Sequence, residues 1–376
     1  MLRPSGLRPS AGGAVLLLPA EARLRAVVER ASAQRGLPPP HWDRRLSLAA
    51  RSAAGDRTEG VDSTEELQGR LEAQGLGDPA PHAWLIEGSS LDLVVRTLGE
   101  RLSPPAEGEN VAGIGLAPGG RGRLRAVFLR SARKAWIEAP PARLRPGRSI
   151  ALVGWLAPGL RSPALYVEAP DGTVEKLPME WRLPAASGRG LGVAQTLEPR
   201  VTGRYTLEIM AEGAHGPEVV WIDRVQVGSG PAAATAGRGS KGGSGDANEP
   251  LALVEAINGA RLRMGAATLA LDPALARIAQ TYSEEMARTG LFAHVSPLSG
   301  DLEARLRRAG YRYSRAGENL AKGPDALAAH ALAVDSPAHR RNMLDQSYDR
   351  CGVGVALVRE PGGASAAFVT ELFAGG

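Results

Sequence analysis

The chain is short of three things. One cysteine, Cys351, stands alone in 376 residues, which excludes any disulfide within the chain and any Cys-x-x-Cys metal knuckle. Aromatic residues make up 4% of the sequence, and no basic cluster interleaves with them, so nucleic acid is not an expected partner. No apolar run reaches eighteen residues, so no transmembrane segment is expected. Charge is also modest, at +5 overall. What the chain has in excess is glycine (47) and proline (28), which predicts many turns and linkers in an otherwise globular composition. Cys351 opens an apolar strand-like run and reads as a core thiol.

Punctuation divides the chain into five segments. Residues 1–19 hold arginines and a short apolar patch, Ala14 to Leu18, shorter than a secretory core of about 7–15 residues, and read as a weak or truncated signal. Residues 229–249 are a Gly/Ser-rich linker. Its formal G-x-G-x-x-G (Gly237, Gly239, Gly242) lacks the flanking strand and helix that dinucleotide binding needs. Between about 131 and 228, runs such as "SIALVGWL" and "GRYTLEIMAEG" predict strands, with Asp171–Gly172 as a hairpin turn. An immunoglobulin-like β-sandwich fits that spacing, and a protein partner could dock on it.

Residues 250–376 predict helices followed by a strand pair, an αβα sandwich of mixed α/β class. Asp272–Pro273 starts one helix and Gly290 stops it; Ser336 caps another, with Pro337 as its first residue. "CGVGVALV" and "AAFVTELF" read as strands, and "SRAGENLAKG" as a loop. Residues 24–50 align on 253–279 without a gap, setting Gly36 on Gly265, Asp43 on Asp272 and Leu46 on Leu275. "NVAGIGLA" similarly matches "DRCGVGVA". Residues 20–130 are therefore expected to be a diverged second copy.

Three polar residues of the C-terminal segment stand out: His294 after a helix end, Glu318 in "AGENLAKG", and His339 in a first helical turn. If they converge, two imidazoles and a carboxylate suit a divalent cation such as zinc, or an acid–base pair. Taken singly, each has an ordinary structural role. His41, His82, His215 and His330 have no partner motif and read as structural or exposed.

Taken together, "FAHVSP", "AGENLA", "SPAHRRNML", "CGVGVA" and "FVTELF" resemble, in order, the bacterial SCP-domain branch of the CAP superfamily, over essentially all of 250–376. This superfamily includes cysteine-rich secretory proteins, antigen 5 and plant pathogenesis-related proteins. The resemblance implies a cleft with two histidines and two acidic residues. His294, Glu318 and His339 match the motif positions, with Glu371 and Asp335 as candidates for the second acid. The tryptophan usual before "SPxHR" is replaced by Ala333–Val334. The resemblance further implies an extracellular or envelope location and a small-molecule, lipid or envelope ligand. It implies no reaction, and neither a G-x-S-x-G nor an H-E-x-x-H motif is present. A binding module is thus the leading reading, ahead of an enzyme. The alternatives are a metal-dependent hydrolase of envelope peptide or polymer, with Glu318 as base, and a structural repeat.

Overall fold

The computed structural model describes residues 19–55, 64–79, 81–102, 104–105, 108–182, 190–229, 249–359 and 365–376. The expected signal segment, the three glycines of the linker and most of the turn between the last two strands lie outside them. The chain divides into two compact units, residues 1–142 and 143–376. Among the described residues no helix is long and apolar enough to cross a membrane.

The first unit contains α1 (Pro19–Gln34), β1 (His41–Trp42), α2 (Arg44–Gly55), α3 (Thr64–Glu72), β2 (His82–Gly88), α4 (Leu91–Arg101), β3 (Val111–Pro118), β4 (Leu124–Ser131) and β5 (Ala135–Ile137). Its four-stranded sheet has the order β1-β3-β4-β2.

The second unit opens all-β: β6 (Arg143–Leu144), β7 (Ile150–Leu156), β8 (Arg161–Glu168), β9 (Val174–Pro178), β10 (Glu180–Arg182), β11 (Leu191–Leu197), β12 (Gly203–Gly213) and β13 (Gly216–Val227). One sheet runs β6-β13-β12-β8-β9, and β11 pairs antiparallel with both β10 and β7. The Asp171–Gly172 turn joins β8 to β9, with the Asp171 side chain accepting from the Thr173 amide at 2.9 Å.

The unit continues with α5 (Glu249–Arg263), β14 (Ala270–Leu271), α6 (Pro273–Thr289), α7 (Leu302–Arg308), β15 (Arg315–Gly323), α8 (Ala326–Asp335), α9 (Pro337–Met343), β16 (Arg350–Arg359) and β17 (Ser365–Gly375). Local chemistry sets the helix ends where the sequence predicts them. Asp272 caps α6 through the Ala274 and Leu275 amides, Gly290 ends it at φ 73°, and Ser336 caps α9 before Pro337.

The sheet order is β14-β16-β17-β15, with helices on both faces. Leu253, Ile257, Ala329, Val369 and Phe373 fill the side of α5 and α8; Leu275, Leu306 and Leu372 fill the side of α6 and α7. "SRAGENLAKG" is not a loop: β15 is an edge strand paired with β17 along its full length. Glycine, alanine, asparagine and lysine favour strands weakly, so this one exists through its apolar neighbour and not through local propensity.

The two αβ sheets share an order, including a two-residue parallel pairing at one edge (His41 with Val111, Ala270 with Arg350). Glycines repeat as well. A Cβ on Gly113 would lie 2.4 Å from the Leu46 carbonyl carbon, and one on Gly352 2.4 Å from that of Leu275. A Cβ on Gly115 would meet the Arg51 nitrogen at 2.1 Å, and one on Gly354 the Gln280 nitrogen at 2.2 Å. Leu46 and Leu275 are partners in the gapless alignment, and Arg51 and Gln280 follow one residue beyond its end. Both helices thus lie with backbone directly on strand glycines. Gly115→Ala and Gly354→Ala are each expected to destabilise their own unit by about 1–3 kcal/mol, measured by urea unfolding, because a helix must lift off its sheet.

Candidate functional site

His294 lies in the turn between α6 and α7, and several bonds fix that turn. The Tyr282 hydroxyl donates to the Ala293 carbonyl, and Ser296 and Gly300 exchange backbone bonds at 3.0 and 2.9 Å. Arg305 Nη1 donates to the carbonyls of His294 (3.3 Å) and Gly300 (2.7 Å), and its guanidinium lies 3.5 Å over the Tyr282 ring.

The His294 ring meets Glu318, with Nδ1 to Oε1 at 2.8 Å. Arg305 Nη2 donates to the other oxygen, Oε2. Glu318 is therefore held at both oxygens, with its side chain 3% exposed. A buried carboxylate beside an imidazole places the shared proton on Nδ1, which leaves the His294 lone pair on Nε2. Gly317 is needed next door: a Cβ there would lie 2.4 Å from the Tyr348 hydroxyl and 2.5 Å from Asn342 Oδ1.

His339 sits in the first turn of α9, its amide donating to the Ser336 hydroxyl at 3.4 Å. Burial, helped by neighbouring His294 and opposed by Glu371, pushes its pKa down to about 4, so the ring is neutral at physiological pH. Its Nδ1 is buried with no hydrogen-bond partner. His294 and His339 are thus electrostatic neighbours, and His294 and Glu318 are in contact.

Of the two candidates for the second acid, Glu371 is an electrostatic neighbour of His339 and Asp335 lies at the end of α8. Glu371 projects from the opposite face of the sheet to Glu318, because Asn319, not Glu318, is its cross-strand partner. There it is buried, with Oε1 at 2.6 Å from His330 Nδ1. It reaches His339 through Asn319, whose Nδ2 donates to Glu371 Oε2 and to the His339 carbonyl, both at 3.1 Å. Asn342 and Tyr348 extend this chain at 3.0 Å per step. Asp335 ends α8 on the surface, and its charged neighbours are Arg224, Arg204 and Arg340.

Two participants were not singled out in the sequence. Arg305 shares a helical face with Leu302 and Leu306, and an arginine on an apolar stripe calls for a buried acid; that signal was available. His330 has a structural role, as expected, but as the partner of Glu371.

The residues offer limited chemistry. Burial pushes the Cys351 thiol up to about 11, which removes it as a nucleophile at neutral pH. Among the described residues no three His, Cys, Asp or Glu side chains are arranged to hold a metal ion.

An αβ domain with a buried His–Glu–Arg cluster on an edge strand is the class these features define. The family model described as "CAP: Cysteine-rich secretory protein family" matches residues 254–371, and this segment is a CAP domain of the bacterial SCP type. The Bacillus subtilis protein YkwD is 33% identical over 103 residues, 27% of this chain; the chain spans about two fifths (40%) of that relative's length. Among solved structures, an extracellular SCP-domain protein from Bacillus anthracis is similar at 18% identity and a TM-score of 0.31, over 64% of this chain and 85% of its own. A cysteine-rich secretory protein from Staphylococcus aureus gives 15% and 0.28, over 61% and 77%.

Proposed function

We propose that the C-terminal domain is a binding module of an extracellular or envelope-associated bacterial protein, taking a small polar ligand or a divalent cation between His294 and His339. The observation that carries this reading is the buried Arg305–Glu318–His294 relay, which fixes one imidazole beside a second, neutral one whose Nδ1 has no partner. The fixed His294 ring and the neutral His339 ring together would accept hydrogen bonds from hydroxyl-bearing ligands or donate to a cation. The hydrolase alternative needs Glu318 as a base, yet both its oxygens are already bound.

The first unit then reads as a degenerate copy of this domain, supported by the shared sheet order and matching glycines. Sheet register aligns Glu318 with Ala83, Asn319 with Trp84 and Glu371 with Phe128, since Gly352 and Gly113 lie opposite Leu372 and Leu129. Trp84 and Phe128 pack with ring centroids 5.2 Å apart where the C-terminal domain has its polar pair. Counting back along the first unit, the position matching His339 falls near Glu100, exposed near the end of α4, and the counterpart of "FAHVSP" is missing from a shortened stretch around 54–63, of which 56–63 lie outside the described residues. The first unit thus kept the scaffold without the polar site. The all-β region reads as an immunoglobulin-like sandwich.

Zinc titration tests the cleft. Wild-type protein is expected to bind Zn²⁺ by calorimetry, and His294→Ala and His339→Ala each to weaken it roughly ten- to hundredfold with unchanged circular dichroism. Equal affinity in all three proteins would remove the cation reading.

A further inference from the structure

The all-β region touches both cleft histidines' surroundings. At the tip of the β12–β13 hairpin, the His215 carbonyl accepts from the Val295 amide at 3.0 Å. Gly216 follows at φ 99°, and a Cβ there would lie 3.0 Å from the His294 Cβ and 3.3 Å from Val295 Cγ2. Only glycine allows both that backbone conformation and that approach.

Farther along β12, Glu208 is fully buried against α9. Its Oε1 accepts from the Ala338 amide at 3.1 Å, beside the Ser336 hydroxyl, one residue from His339. Glu208 Oε2 has no partner. Farther along, Arg340 pairs with Glu168 of β8 at 3.2 Å. At the β8–β9 turn, a Cβ on Gly172 would meet Met264 Cε at 2.9 Å and Arg340 Nη2 at 3.2 Å. Four contacts therefore join the all-β region to the CAP segment, from the His294 turn to Met264 just beyond α5.

We propose that the all-β region is a wall of the cleft, with the β12–β13 hairpin and Glu208 as positioning elements that fix His294 and His339 relative to each other. This rests on the cleft reading above and adds that the binding unit is residues 143–376, not the CAP domain alone. A domain attached only by a linker would leave these amides to solvent. Here Val295 and Ala338 each give their amide to the all-β region, and two positive-φ glycines make room for the approach.

Amide hydrogen exchange on the full chain tests it. Glu208→Ala removes the contact to Ala338 without touching the His294 turn. A wall predicts exchange at least tenfold faster at both Ala338 and Val295, with β16 and β17 amides unchanged and the His294 ring resonance shifted. Faster exchange confined to Ala338, with Val295 and the His294 resonance unmoved, means that Glu208 merely caps α9 and overturns the proposal. Glu208→Gln keeps the acceptor and should restore wild-type exchange. If Glu208→Ala fails to fold, Glu168→Gln cuts the Arg340 tether and should speed Val295 exchange severalfold; no change there also overturns it. Zn²⁺ affinity is read in parallel. A loosened interface with unchanged affinity sinks the wall and leaves the cleft standing. Absence of zinc binding in the wild type sinks the cation reading alone, because exchange and the His294 resonance still decide the wall.

Discussion

Replacing Glu318 by alanine is expected to cost about 3–5 kcal/mol, more than removing either histidine. The Arg305 side chain is 5% exposed and cannot turn to solvent, because its Nη1 is held by two carbonyls and its plane lies on Tyr282. Without Glu318 a charge remains buried with no counterion, and the His294 Nδ1 loses its acceptor. Glu318→Gln keeps an oxygen for one of the two donors and should cost roughly half as much. Urea unfolding at pH 7 measures both. The zinc titration should follow the same order, since the freed imidazole no longer presents one fixed nitrogen. A cost below about 1 kcal/mol for Glu318→Ala would place the pair among solvated surface bridges and remove the relay from the site.

Local signals carried much of the fold. Asp272, Ser336–Pro337 and Gly290 act within one turn of themselves, so caps and helix ends were legible. The likeness between the two αβ segments was legible too, because it left a gapless alignment whose partner residues meet similarly placed glycines. Edge strand β15 was not, since its pairing comes from a strand about fifty residues away. Within the site, the meeting of His294 with Glu318 across 24 residues followed from family resemblance and from no periodicity. The face that Glu371 takes was not legible, for a definite reason. β17 is buried on both faces from Ala366 to Gly375, so alternation does not reveal which face a residue takes. Only its register with Asn319 assigns Glu371 to the His330 side.

Two buried groups of the second unit should impose opposite pH dependences over nearly the same range. Burial pushes Glu208 up to about 7, from 4.5, despite hydrogen bonds from Ser336 and Ala338. The unfolded chain therefore binds fewer protons than the folded one as pH rises from 4.5 to 7, and stability falls across that window. His339 is pushed down to about 4, from 6.5. Here the unfolded chain binds more protons between 4 and 6.5, so stability falls as pH drops. Each group is worth on the order of 3 kcal/mol across its window, so in the wild type the two slopes largely cancel. Single substitutions separate them. Relative to wild type, Glu208→Gln should gain about 3 kcal/mol between pH 4.5 and 7, and His339→Gln should gain a similar amount between pH 6.5 and 4. Urea midpoints at pH 4.5, 5.5 and 7 read both differences directly, because terms from groups untouched by the substitution drop out. A Glu208→Gln difference that stays flat with pH would mean that Glu208 is ionised in the folded protein, and hence that water reaches the junction between β12 and α9. A closed junction requires the opposite slopes.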